Sequence, residues 1–156
     1  MGTGFRTAGN SMAVDAAGGL YTEVLTDSSQ GSSTAIMRWS GDKWEDITGD
    51  FSVVVDALQP GRVSSNVPVG ALALDREGNL YAGGSFYYLT PDPSAELPMG
   101  YVASWNGEAW AVLGGGFDKV NVFALAIGAP GAAYVSGEQP LTPEGEPGFI
   151  ASWLAS

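Results

Sequence analysis

One stretch of this chain is written three times. Ala71-Leu-Ala-Leu-Asp-Arg-Glu-Gly-Asn-Leu-Tyr81 is echoed by Ser11-Met-Ala-Val-Asp-Ala-Ala-Gly-Gly-Leu-Tyr21 and again by Ala124-Leu-Ala-Ile-Gly-Ala-Pro-Gly-Ala-Ala-Tyr134. A second unit follows each first one. Ala35-Ile-Met-Arg-Trp39-Ser-Gly-Asp-Lys-Trp44 matches Tyr101-Val-Ala-Ser-Trp105-Asn-Gly-Glu-Ala-Trp110, and Phe149-Ile-Ala-Ser-Trp153 matches the start of both. Self-similarity at this period restricts the fold more than any composition does, because each repeat must be one supersecondary unit that buries its apolar face against its neighbours.

Each repeat reads as strands. Ala71 to Leu74 alternates, Asp75 and Gly78 mark a turn, and Leu80 to Phe86 gives a second strand. Tyr101 to Trp105 gives a third, Asn106-Gly107 a tight turn, and Trp110 to Leu113 a fourth. No window carries a sustained 3.6-residue apolar period with caps, so helices are not expected. Four short strands per repeat, with periodic Gly and Trp, predict an all-β chain of β-propeller blades. The repeats span about 11–51, 71–117 and 123–156, in one domain covering residues 1–156. Met1-Gly-Thr-Gly-Phe5 matches Leu113-Gly-Gly-Gly-Phe117, the end of a repeat. The three four-stranded blades are therefore circularly permuted, with residues 1–5 supplying the last strand of the third. The third copy has Gly128 where the others have Asp15 and Asp75, which predicts a weaker turn.

The run from Ala71 to Phe117 resembles repeats of secreted and cell-surface bacterial propellers of the kelch-like and NHL-like kind, and of the cortical-marker proteins of fungi. The resemblance covers nearly the whole chain outside its loops. It implies the propeller fold and an extracellular or cell-surface setting, and it implies no particular activity, because propellers host unrelated functions. Three blades are too few for a ring, which takes about four to eight. Two solutions follow: a homodimer closing to six blades, with the N-terminal strand of one chain completing the other, or a longer propeller of which this chain is a part.

Composition narrows the chemistry. The 156 residues carry 17 acidic and 6 basic side chains, a net charge of -11. That balance opposes encounter with nucleic acid or an anionic membrane surface. There is no His and no Cys. Disulfides, thiol nucleophiles, imidazole triads and zinc sites built on His or Cys are excluded. No apolar run is long enough for a transmembrane helix. No cofactor motif is present: Gly83-Gly84 and Gly114-Gly115-Gly116 lack the Lys-Ser/Thr of a phosphate loop and are expected to allow close packing on the innermost strands.

Trp39 with Trp44, Trp105 with Trp110, and Trp153 are expected to be structural, as cross-strand partners at hairpins. Asp15 and Asp75 are expected to satisfy their own turns, since one turn cannot supply the six or so oxygens a calcium ion takes. The segments Thr22 to Thr34, Tyr87 to Gly100 and Ser136 to Gly148 read as long loops on one face. They carry Asp27, Tyr87, Tyr88, Asp92, Glu96, Glu138, Glu144 and Glu146, the candidate partner-binding residues, and six prolines that lower the ordering cost of binding. A further stretch, Ser52 to Gly70, reads as an insertion with a strand at Val53 to Val55. The function expected is a non-enzymatic scaffold presenting acidic, Pro-rich loops to a protein, glycan or cation, with no catalytic residue, cofactor or metal assigned. The alternatives are a purely architectural half-propeller and a glycoside hydrolase or lyase working through paired carboxylates.

Overall fold

The computed structural model describes residues 8–28, 31–48, 69–84, 102–113, 121–129, 131–138 and 149–154. Among them every regular element is a strand. β1 (Ala8–Val14), β2 (Leu20–Ser28), β3 (Gly31–Trp39) and β4 (Trp44–Asp46) form one antiparallel sheet in chain order. β5 (Val69–Leu74), β6 (Leu80–Gly84), β7 (Val102–Trp105) and β8 (Trp110–Val112) form a second of the same order. β9 (Asn121–Ile127), β10 (Ala132–Glu138) and β11 (Phe149–Leu154) form a third, three-stranded among the described residues. The fold is all-β, in three up-and-down sheets that follow the three repeats. Residues 1–5 and Val53 to Val55, expected as strands, lie outside the described residues.

The turns explain why the chain reverses where it does. Gly18, Gly41, Gly78, Gly107 and Gly131 all have positive φ, between 84° and 104°, a conformation in which a side chain would be strained. In the first turn of each sheet the backbone closes the same way: Gly18, Gly78 and Gly131 N–H donate to the carbonyls of Asp15, Asp75 and Gly128. The third turn keeps this backbone pattern although its acid is missing.

Each first strand carries extra residues. The pairing slips between Ala8 and Met12, between Val69 and Ala71, and between Val122 and Ala124. Such a bulge bends a strand and sharpens its twist. Beyond it, alternation sets two unlike faces. In the second sheet the front is Leu72, Leu74, Leu80, Ala82, Ala103, Trp105 and Trp110, and the back is Ala71, Ala73, Tyr81 and Gly83. The front packs onto the back of the first sheet: Tyr21 and Ile36 join Leu72, Leu80, Ala82, Ala103 and Trp105 in one core, with Ala13 and Ile47 against it. Two polar ties cross the joint, Leu72 N–H to Ser11 Oγ at 2.8 Å and Trp110 Nε1 to the Ile47 carbonyl at 2.7 Å. On the other side β5 and β6 pack against β9. The first strands thus stand in the order β1, β5, β9, with β5 in the middle.

Two expectations need correction. Thr22 to Thr34 is not a loop: β2 and β3 form one long hairpin in register from Leu20↔Trp39 to Ser28↔Gly31. The stretch Thr22-Glu-Val-Leu-Thr26 is rich in β-branched residues and holds no proline, so nothing stops the ladder. Gly83 and Gly84 lie on β6, a second strand, not on an innermost one. Crowded glycines occur instead on first strands: Gly9 on β1, where a Cβ would run into the Glu23 side chain, and Gly70 on β5, where it would meet the Val122 carbonyl oxygen of β9 at 2.5 Å.

Candidate functional site

The hairpin turns of the first and second sheets gather at one end of the molecule. Asp15 accepts the N–H groups of Ala17 and Gly19 at 2.9 and 2.7 Å and the Tyr21 hydroxyl at 3.3 Å. Asp75 accepts the Asn79 N–H at 2.8 Å, the Asn79 side-chain amide at 2.7 Å and the Tyr81 hydroxyl at 3.3 Å. Each acid thus closes its own turn and anchors the tyrosine six residues on. The Gly19 N–H, more than any other neighbour, holds the Asp15 carboxyl below its ordinary range, and burial opposes it; Ala17, Tyr21 and Arg38 add to the lowering. Burial raises the Tyr21 and Tyr81 hydroxyls, and the carboxylate beside each raises them further.

Between these turns lies an open cleft of about 340 Å³. Asp15, Arg38, Arg76 and Glu77 line it with Tyr21 and Trp105. The Arg38 guanidinium sits 3.9 Å from Asp15 and 5.7 Å from the centre of the Tyr21 ring. Its Nε is buried and has no hydrogen-bond partner among the described residues. Tyr21 meets Trp105 edge to face at 6.2 Å. Sequence reading missed this cleft. Two of the six basic residues of the chain stand in it, yet Arg38 and Arg76 come from different units of different repeats, so no linear motif marks them. Among the described residues no group of three or more acidic side chains is placed to hold a metal ion.

The tryptophans stand where the hairpin spacing puts them. Trp39 pairs directly with Trp44, and Trp105 with Trp110, with ring centres 5.4 and 6.4 Å apart. Trp105 is buried in the joint between sheets, while Trp39 and Trp44 are half-buried. Trp153 lies on β11, opposite Ala133.

The candidate loop residues divide. Asp27 is on β2, paired with Ser32 near the tip of the long hairpin, and Glu138 is the last residue of β10. Tyr87, Tyr88, Asp92, Glu96, Glu144 and Glu146 lie outside the described residues. The antiparallel register places the strand ends that these segments join, Ser28 and Gly31, Gly84 and Val102, Glu138 and Phe149, at the end of each sheet opposite its first turn. No family model matches the chain, and no curated protein matches it.

Proposed function

We propose that this protein is a non-enzymatic scaffold of the β-propeller kind, in which each sheet is a blade and the connections between second and third strands are offered to a protein, glycan or cation partner. One observation carries it: the three sheets pack in series, front on back, with their first strands adjacent in the order β1, β5, β9. Serial packing of that sort repeats one joint and delivers equivalent loops to one end, which suits multivalent contact with a repetitive ligand. The engagement of Asp15 and Asp75 in their own turns also favours a structural role for those acids over a catalytic one. An extracellular or cell-surface setting and a kinship with the secreted kelch-like and NHL-like propellers belong to the same proposal.

The test is an amide chemical-shift titration of the labelled protein with calcium, a panel of neutral and acidic oligosaccharides, and a lysine-rich peptide. Saturable shifts confined to one end of the sheets are expected. Release of reducing sugar from any oligosaccharide by the wild-type protein would replace this reading with the hydrolase. A purely architectural role is the second reading, and the exposure of Met12, Val14, Phe123 and Tyr134 favours it.

A further inference from the structure

We propose that the front of the first sheet is the docking surface for the back of the third sheet of a second copy of this chain, and that the contact is reciprocal, so that two chains close on each other about a two-fold axis. The inference rests on the reading of the sheets as stacked blades and names the partner that completes the stack.

Repeat equivalence carries the argument. Met12 occupies in the first sheet the place of Leu72 in the second, and Val14 that of Leu74. Leu72 is 7% exposed under the back of the preceding sheet, whereas Met12 is 68% and Val14 63% exposed. The same front carries Leu20, Met37, Trp39 and Trp44, matching Leu80, Ala103, Trp105 and Trp110. The backs tell the complementary story. Tyr21 and Tyr81 are 3% and 4% exposed, while Tyr134, at their position on β10, is 48% exposed, with Ala124 and Ala126 open beside it. So the row ends at one side in a front that is open at Met12 and Val14, while Thr22, Val24 and Ala35 farther along the same face are buried, and at the other side in a back that is open at Tyr134, Ala124 and Ala126.

The two surfaces fit one another because the molecule already joins surfaces of this type. Through the joint between the first and second sheets, Tyr21 meets Trp105 edge on. In the proposed contact Tyr134 of the second copy meets Trp39 in the same way, and its Ala124 and Ala126 lie flat under Met12 and Val14. The side chains named are uncharged, as the desolvated centre of an interface requires; Asp46, opposite Met37 on the edge strand β4, is an exposed acid on the same face and belongs to the rim of the contact. The contact joins unlike patches, so it makes either a closed ring or an open row. Two copies give six sheets, within the roughly four to eight that close a propeller.

Solution mass by light scattering over a range of concentrations tests this, together with Met12→Lys and Tyr134→Lys. Both positions are exposed in the single chain, so both variants are expected to keep its near-ultraviolet circular dichroism. The wild type is expected at twice 16.1 kDa. Each variant is expected to raise the dissociation constant at least tenfold, and mixing the two variants is expected to recover part of the loss, since a mixed pair retains one unaltered joint. A monomer at all concentrations overturns the proposal, and so does a mass that climbs steadily with concentration, which marks an open row. A nuclear Overhauser contact between the Tyr21 and Trp105 rings separates the two levels. Found in a monomer, it leaves the stacked sheets standing and removes the second copy; missing, it removes the stacked sheets themselves.

Discussion

Asp15 shows how much one side chain does here. It holds two backbone N–H groups, a tyrosine hydroxyl and the approach of a guanidinium. Asp15→Ala leaves those donors short of a partner and is expected to cost about 1–3 kcal/mol in urea denaturation. Because its folded-state pKa lies below the ordinary value of 3.8, the stability it contributes is present above that value and is lost as pH falls through the folded one. Thermal melts of the wild type should therefore fall off below about pH 4, and the variant's should fall off less steeply. Tyr21 and Tyr81 act at the other limit. Their folded pKa values lie above the ordinary 10.0, so their share of stability is intact below pH 10 and is lost as pH climbs through the raised values. Gly128 offers the converse experiment. A Cβ there would come 2.9 Å from Tyr134 Cε2, the far end of an exposed ring that can move aside. Gly128→Asp is expected to rebuild the turn of the first two repeats and to add about 0.5–1.5 kcal/mol by urea denaturation. These turns were legible beforehand because Asp, Asn and Gly carry their reason for being in a turn within their own side chains.

At the level of elements, the strands read at Ala71–Leu74, Leu80–Phe86, Tyr101–Trp105 and Trp110–Leu113 appear, over the described residues, as β5, β6, β7 and β8, because short apolar runs bounded by Asp-, Asn- and Gly-bearing turns mark strands. The first hairpin was not legible. Thr26-Asp-Ser-Ser-Gln-Gly-Ser-Ser-Thr34 has the composition of a loop, yet β2 and β3 stay paired through most of it, because a ladder once started continues until a proline or a competing turn interrupts it. Nor could the bulges be read, for an extra residue in a first strand leaves no mark until its partner is known. Two substitutions probe the joints. Leu80→Ala empties a fully buried position of the central core and is expected to cost about 2–5 kcal/mol. Gly70→Ala would push a methyl group into the Val122 carbonyl, which is backbone and yields only if β5 and β9 separate; a loss of about 1–3 kcal/mol is expected. Differential scanning calorimetry of the two variants checks both values. Equal melting temperatures for Gly70→Ala and the wild type would show that the two strands have slack between them.

For the whole molecule, charge and apolar surface pull in opposite directions. Each chain carries -11. Bringing two such chains together is opposed by repulsion that salt screens, with a screening length shrinking from about 30 Å at 0.01 M to about 8 Å at physiological ionic strength. Sedimentation at those two salt concentrations should therefore show tighter pairing at the higher one. Weaker pairing would mean that ion pairs, and not Met12, Val14 and Tyr134, hold the contact. The cleft between the first two sheets belongs to this scale too, and for that reason was invisible in the sequence: Arg38 and Arg76 meet there only because one sheet lies on the other.

The slip in pairing at the start of each sheet has a consequence for how such a chain can lengthen or shorten. Since front and back differ and every unit bears one of each, a tandem copy inserted anywhere brings its own socket and its own plug. Were such units to wind into a ring, the angle at each joint, to which the bend of the first strand contributes, would decide how many complete a turn. Growth by duplication would leave each seam intact and alter only whether the last unit meets the first. In a protein built this way the head count is written in the curvature of a single seam.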